Sequence, residues 1–183
     1  MVVIVTIILA AVATVLLLPY INRAIRRGRL IRKLKKICAL KKYKLELSNP
    51  FCVYFRNFSE KYDLTVDTGK VFYAVKFFDE YYKNSSFVFS GSRKVSRLIR
   101  SSGVFTQNDK RTSERYVGRF YKLVGGHRNS RREFDLLLVD TEATAIFFSE
   151  GERAEKLKEG DELYGMTLIS PKRFLEGIGG RKN

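Results

Sequence analysis

The sequence predicts an α+β protein with a membrane anchor: an N-terminal transmembrane helix, a basic amphipathic helix, and a small mixed domain of antiparallel hairpins ending in a helix. Residues 2–21 carry no charge, and residues 22–45 are dense in Lys and Arg without any acid. Beyond that block the pattern changes to short runs of β-branched and aromatic residues separated by turns. We therefore expect three units, with residues 46–183 forming one α+β domain.

The uncharged N-terminal segment is long enough to cross a bilayer. Twenty residues in a helix reach about 30 Å, the thickness of the hydrocarbon core. Eleven basic residues follow between positions 20 and 45. Because positive flanks stay on the cytoplasmic side, the sequence predicts a single-pass protein of the cell or inner membrane with a cytoplasmic C-terminal domain.

A cleaved secretory signal is the alternative interpretation of the N-terminus. The stretch 11–13 (Ala-Val-Ala) matches the small-residue pattern of a cleavage site. However, Met1 leads directly into the apolar run, so there is no basic region before it. The match also lies inside the apolar run, and a basic block after such a run is typical of a stop-transfer segment. The pattern favours a retained anchor.

Residues 22–45 form the predicted basic juxtamembrane helix. Apolar side chains recur at helical spacing from Ile21 through Ile31 and Leu34 to Cys38, and Arg and Lys fill the other faces. Such a helix is expected to lie along, or rise from, an anionic leaflet, where each nearby cation contributes up to ~1 kcal/mol. The expected lipid contacts are Arg23, Arg26, Arg27, Arg29, Arg32, Lys33, Lys35 and Lys36.

The rest of the chain indicates hairpins and a closing helix. A first hairpin is predicted from strands 62–66 and 71–78 around a turn containing Gly69. The further expectations are a strand at 86–90, a basic helix at 92–102, a loop at 103–115, a strand at 116–124, a loop at 125–132, a second hairpin from 134–139 and 143–148, a strand at 163–169, and a helix at 172–178 opened by Pro171.

A second excess of positive charge lies in residues 92–132, which carry twelve basic and two acidic residues. Phosphate, in a lipid or a nucleic acid, is the natural partner of such a segment. Arg93, Lys94, Arg97 and Arg100 are the expected contacts. Together with residues 20–45, this segment accounts for the strongly positive net charge of +16.

The chain has few residues for metal or nucleophilic chemistry. Its two cysteines, Cys38 and Cys52, and its single histidine, His127, do not form a zinc-binding pattern. No nucleophile elbow or phosphate-binding glycine loop is present in the sequence. We therefore expect no metal, no cofactor and no catalytic residue.

The first predicted hairpin resembles the core of the restriction-endonuclease-like nucleases. In that family an Asp on one strand and a (D/E)-x-K motif on the next hold a divalent metal. Here Asp63 is followed by Ala74-Val75-Lys76, and the resemblance covers residues 62–78. Ala74 replaces the second carboxylate, so the resemblance implies a related fold without nuclease activity. Asp63 and Lys76 are otherwise expected to face solvent or to form a cross-strand charge pair.

Two classes of function remain open from the sequence. The first is a membrane-anchored, non-enzymatic interaction module that contacts the anionic inner leaflet or a protein partner. The alternative is a membrane-tethered nucleic-acid-binding domain derived from a nuclease-like fold and lacking activity.

Overall fold

The computed structural model describes residues 2–55, 61–80, 85–100, 112–120, 132–141, 143, 145–150 and 153–180. These residues form three helices, α1 (Val2–Lys41), α2 (Pro50–Phe55) and α3 (Pro171–Gly179). They also form the strands β1 (Lys44–Leu47), β2 (Leu64–Asp67), β3 (Val71–Phe78), β4 (Ser85–Ser90), β5 (Lys94–Arg100), β6 (Thr112–Arg119), β7 (Arg132–Val139), β8 (Ala145–Glu150), β9 (Arg153–Leu157), β10 (Glu162–Leu163) and β11 (Met166–Ile169).

The strands form two mixed sheets. The first sheet has the order β1-β2-β3-β7-β11-β10, in which β7 runs parallel to both β3 and β11. The second sheet has the order β6-β5-β4-β8-β9, in which β4 and β8 are parallel. All other neighbouring strands in the two sheets are antiparallel.

Two apolar cores divide the fold into three layers. One core joins α1 and α3 to the first sheet, and the other lies between the two sheets. In β7, Leu136 and Leu138 belong to the core under the helices, whereas Leu137 belongs to the core between the sheets. This alternation follows from the two-residue period of a strand. The first sheet is therefore the central layer.

The structure confirms the α+β class, the first hairpin and the closing helix. Strands β2 and β3 pair antiparallel with Leu64 opposite Val75. Their turn contains Gly69 at φ 83°, and Gly69 N–H donates to the Asp67 carboxylate at 2.7 Å. Helix α3 is capped by Ser170, whose hydroxyl accepts from the backbone N–H of Arg173.

Several other predicted elements are wrong. Residues 94–100 form strand β5, paired with β4 and β6, so the expected basic helix at 92–102 does not occur. The expected second hairpin is also absent, since β7 and β8 belong to different sheets. All three leucines at 136–138 are buried, as is typical of a central parallel strand rather than a hairpin arm. The antiparallel-hairpin architecture is thus corrected to two mixed sheets.

Smaller differences concern boundaries. The expected strand at 116–124 is seen as β6, which begins at Thr112 and ends at Arg119. The expected last strand is split into β10 and β11 around Tyr164 and Gly165, both at positive φ. The loops expected at 103–115 and 125–132 fall largely on residues 101–111 and 121–131, which lie outside the described residues.

Helix α1 runs without interruption through both predicted N-terminal units and contains Pro19. The side chains of residues 2, 3, 5, 7–11, 13, 15 and 16, which belong to the predicted span 2–21, lie outside the described part. Within the described residues, no helix is long and apolar enough to cross a membrane.

The second half of α1 is part of the packed fold. Ile31, Leu34 and Cys38 are buried in the core against the first sheet and α3. The helix ends at Lys41 rather than near residue 45, and the chain then returns as β1 at the edge of the first sheet. Packing therefore crosses the predicted boundary between the basic helix and the domain.

We expect Leu34→Ala to lower the free energy of unfolding by about 2–5 kcal/mol, because Leu34 is fully buried and its removal leaves a cavity. Leu40→Ala is the matched control on the same helix, since Leu40 is 86% exposed; its effect should stay within about 0.5 kcal/mol. Urea unfolding of residues 20–183 followed by circular dichroism measures both. Equal effects would show that α1 does not pack as described.

Candidate functional site: a buried charge cluster at the end of β3

Six charged residues meet where β3 ends, and we call them the buried charge cluster. Two arginines come from α1, an aspartate precedes β2, a lysine lies in β3, and two acids follow β3 directly. The members are Arg23, Arg27, Asp63, Lys76, Asp79 and Glu80. The side chains of all six are no more than 12% exposed.

Arg27 makes the central ion pair with Asp79. Its Nε donates to Asp79 Oδ2 at 2.7 Å, and its Nη2 donates to Asp79 Oδ1, so the pair is bidentate. Its Nη1 donates to the carbonyl of Val53 in α2 at 2.6 Å, and the guanidinium lies over the Phe77 ring at 4.9 Å. One buried side chain therefore joins α1, α2 and the end of β3.

Arg23 repeats this arrangement one helical turn earlier. Its Nη2 donates to Glu80 Oε1 at 2.8 Å, and its Nε lies 3.2 Å from Asp79 Oδ1. Its Nη1 donates to the carbonyl of Phe55, the last residue of α2, at 3.0 Å. The carbonyl of Glu80 accepts from the Thr141 hydroxyl. The residues after β3 are thus held from both sides.

Asp63 and Lys76, the two residues of the nuclease-like motif, form a buried charge pair. Both side chains are fully buried, and Lys76 Nζ lies 3.8 Å from Asp63 Oδ2. Asp63 Oδ2 also accepts from the backbone N–H of Phe77 at 2.7 Å, and Lys76 donates to the carbonyl of Lys61 at 2.7 Å. The expectation of a charge pair is confirmed, and the expectation that these residues face solvent is wrong.

Burial dominates the protonation of both aspartates. It raises the pKa of Asp63 to about 6, although the Lys76 ammonium and the Phe77 N–H act in the opposite direction. Burial also raises the pKa of Asp79, against the lowering effect of its bonds with Arg27. Burial therefore shifts the pKa values of the two aspartates in the same direction.

The motif residues make structural contacts. Ala74 is buried in β3 and carries no ligand atom on its side chain. The contacts of Asp63 include an ammonium group and a backbone N–H, both of which are donors. Among the described residues, no group of three or more His, Cys, Asp or Glu is placed to hold a metal ion.

The predicted lipid-contact residues of α1 divide into two sets. Arg23 and Arg27 point inward into the buried charge cluster, where they form ion pairs with Asp79 and Glu80. Arg26 is half-buried. The remaining predicted contacts are exposed: Arg29, Arg32, Lys33, Lys35 and Lys36.

The predicted contacts in the second basic segment do not gather at one place. Arg93 and Lys94 lie at the start of β5 and Arg100 lies at its end, roughly 20 Å away at the rise of a strand. Lys94 is exposed, whereas the Arg93 guanidinium lies over the Tyr164 ring at 5.8 Å. Arg97 is half-buried with its Nε buried, and the side chain of Arg100 lies outside the described residues.

Sequence reasoning missed Asp79 and Glu80, although a signal was present. Arg23 and Arg27 precede Ile31 at intervals of four residues, so they lie on the apolar face of α1. Charges on a buried face require partners, and the nearest acids after a buried strand are Asp79 and Glu80.

Comparison of the chain with protein families, with curated proteins and with solved structures finds no match.

We expect Arg27→Met to cost about 3–5 kcal/mol of unfolding free energy, because it leaves Asp79 buried without its main partner. Asp79→Leu should cost a similar amount. The double variant should lose clearly less unfolding free energy than the sum of the two single losses. Chemical unfolding of the wild type, the two single variants and the double variant measures that coupling. Arg29→Met, at an exposed position of the same helix, is the control and should change little. Strict additivity would contradict the ion pair.

The raised pKa of Asp63 predicts a stability that falls as pH rises. Between about pH 4 and pH 6 the folded state holds a proton that the unfolded state has released. The free energy of unfolding should therefore fall by roughly 3 kcal/mol across this window and level off above it. Asp63→Asn should remove this part of the pH dependence, measured by urea unfolding from pH 4 to 7. An unchanged slope would show that Asp63 does not titrate there.

Proposed function

We propose that this chain is a membrane-anchored, non-enzymatic interaction module whose α+β domain is held against an anionic leaflet. The observation that carries the proposal is the continuity of α1 from Val2 to Lys41. Its first twenty residues are uncharged in sequence, and its second half is built into the core of the domain. An anchor joined to a domain by a packed helix holds that domain at a set distance and orientation.

The continuous helix determines which cations reach the lipid. At 1.5 Å per residue, Arg26 and Arg29 lie about 8 and 12 Å beyond residue 21, whereas Lys36 lies about 22 Å beyond it. A Debye length is about 8 Å at physiological ionic strength, so charges near the helix exit interact most strongly with the leaflet. The helix therefore rises from the membrane, and Arg26 and Arg29 are the proposed headgroup contacts.

The more distant cations of α1 fit a protein partner. Lys33 and Lys36 lie on the side of the helix opposite the buried residues Ile31 and Leu34, in line with Arg29, and both are exposed. This stripe presents positive charge parallel to the helix axis. An acidic protein surface held near the membrane is the proposed partner.

The buried charge cluster supports the non-enzymatic part of the proposal. Its charged groups bind one another and backbone carbonyls of α2, as a structural network does. Asp63 and Lys76 lie fully buried at its edge, where a substrate has no access. The cluster positions α1 on the domain, and its charged groups face one another.

The topology tests the proposal. We expect the full chain to resist alkaline carbonate extraction from membranes, because residues 2–21 stay in the bilayer. In sealed inverted vesicles, external protease should digest the domain; in right-side-out vesicles the domain should be protected. A chain of residues 20–183 is the control and should be released by carbonate.

Two results would overturn the proposal. Release of the full chain by carbonate would show that α1 is not an anchor. A mature protein whose mass shows loss of the first residues would establish the cleaved-signal alternative.

A further inference from the structure

We propose that α2 is a second membrane contact, with an apolar surface of Ile21, Ile25 and Phe51 lying in the interfacial region of the leaflet beside α1. We call these three residues the interfacial patch. The inference deepens the proposed function and rests on it, since it requires α1 to be anchored. The partner is a phospholipid bilayer surface.

Helix α2 is fixed to α1 at the level where the uncharged segment ends. The carbonyl of Phe55 accepts from Arg23 at 3.0 Å, and the carbonyl of Val53 accepts from Arg27 at 2.6 Å. Arg23 lies only about 3 Å along the helix axis from Ile21, at the helical rise per residue. The buried charge cluster therefore holds α2 at the depth of the membrane boundary.

In the described part of the chain, exposed apolar side chains lie on both α1 and α2 near this junction. Phe51 is 61% exposed, Ile21 46% and Ile25 44%. Among the described residues, the exposed large hydrophobic side chains lie on α1 up to Ile25 and at Phe51, apart from Leu40 and Tyr116. Such a concentration marks a contact surface, whereas single exposed apolar residues are ordinary.

The patch is continuous with the predicted span. Ile21 and Ile25 are one turn apart on α1, and Gly28 follows on the same stripe. A Cβ added at Gly28 would lie 3.7 Å from the Tyr54 ring, so α2 covers the stripe where the patch ends. The ring of Phe51 lies 5.2 Å from the ring of Phe55, the residue held by Arg23. Exposed apolar side chains thus lie on both helices near the point where α2 is joined to α1.

The chemistry of the surroundings fits an interface between lipid and water. Tyr20, 50% exposed at the end of the uncharged segment, is the residue type that forms aromatic belts at headgroup level. Arg26 and Arg29 follow within the next turns and supply charge for phosphate groups. Apolar side chains beside cations at this level are typical of elements that lie in the membrane interface.

Tryptophan fluorescence tests the inference directly, because the chain contains no tryptophan. Phe51→Trp in the full chain, reconstituted in phosphatidylcholine and phosphatidylserine vesicles, should show blue-shifted emission that is strongly quenched by brominated acyl chains. Leu40→Trp is the matched control: Leu40 is also apolar and is 86% exposed, but it lies roughly 28 Å from Ile21 along α1. The emission of this control variant should be red-shifted and unquenched.

The outcomes separate this inference from the proposed function. If carbonate releases the protein from the vesicles, the anchor and the inference both fail. If the protein stays embedded but the Phe51→Trp variant is quenched no more than the Leu40→Trp variant, the inference alone is wrong. Emission of the Phe51→Trp variant that depends on the protein-to-lipid ratio and not on bromine would assign the patch to a second copy of the chain and overturn the lipid contact.

A second reporter protects the test against a folding defect. Ile25→Trp places the probe on α1 itself, where the side chain is already 44% exposed, and this variant should be quenched like Phe51→Trp. Both variants should unfold at the wild-type temperature, since neither replaces a buried residue. Quenching of the probe at position 25 without quenching of the probe at position 51 would limit the contact to α1 and contradict the role of α2.

Discussion

The ion pair between Arg27 and Asp79 is the interaction on which the arrangement of the helices depends. It joins a residue in the middle of α1 to the end of the central strand β3, and its third bond reaches the carbonyl of Val53 in α2. Both side chains are nearly inaccessible to solvent. Since an unpaired charge at such a place is strongly unfavourable, the pair favours the observed rotation and register of α1, in which both groups are satisfied.

A buried ion pair adds little stability compared with well-packed apolar side chains, because desolvation offsets the attraction. Its contribution here is specificity. The apolar contacts of Ile31 and Leu34 drive the helix onto the sheet, whereas Arg23 and Arg27 select how far along the sheet it lies. This division also sorts the basic residues of α1 into an inner structural pair and an outer exposed stripe.

The same principle explains the nuclease-like motif. Asp63 accepts the N–H of Phe77 where the pairing between β2 and β3 ends, so its carboxylate completes the backbone bonding of that edge. Lys76 balances its charge at 3.8 Å and donates to the carbonyl of Lys61. The structure of the hairpin thus accounts for the carboxylate that precedes β2 and the lysine in β3. The resemblance to nucleases remains one of sequence pattern.

Local sequence was sufficient to predict the features that depend on neighbouring residues. These are the first hairpin, with its Asp-Thr-Gly turn, the closing helix with Pro171 at its start, and the helical periodicity of α1. The other features depend on contacts between distant segments. Strand β7 pairs in parallel with strands distant in sequence, so its local pattern predicts a hairpin arm instead. Strand β5 is a different case: it pairs with its neighbours in sequence, but the spacing of Val95, Leu98 and Ile99 fits one side of a helix, so periodicity favours the wrong element. Helical spacing places Arg27 on the apolar face of α1, but its partner Asp79 lies fifty-two positions away, and local sequence does not specify that pairing.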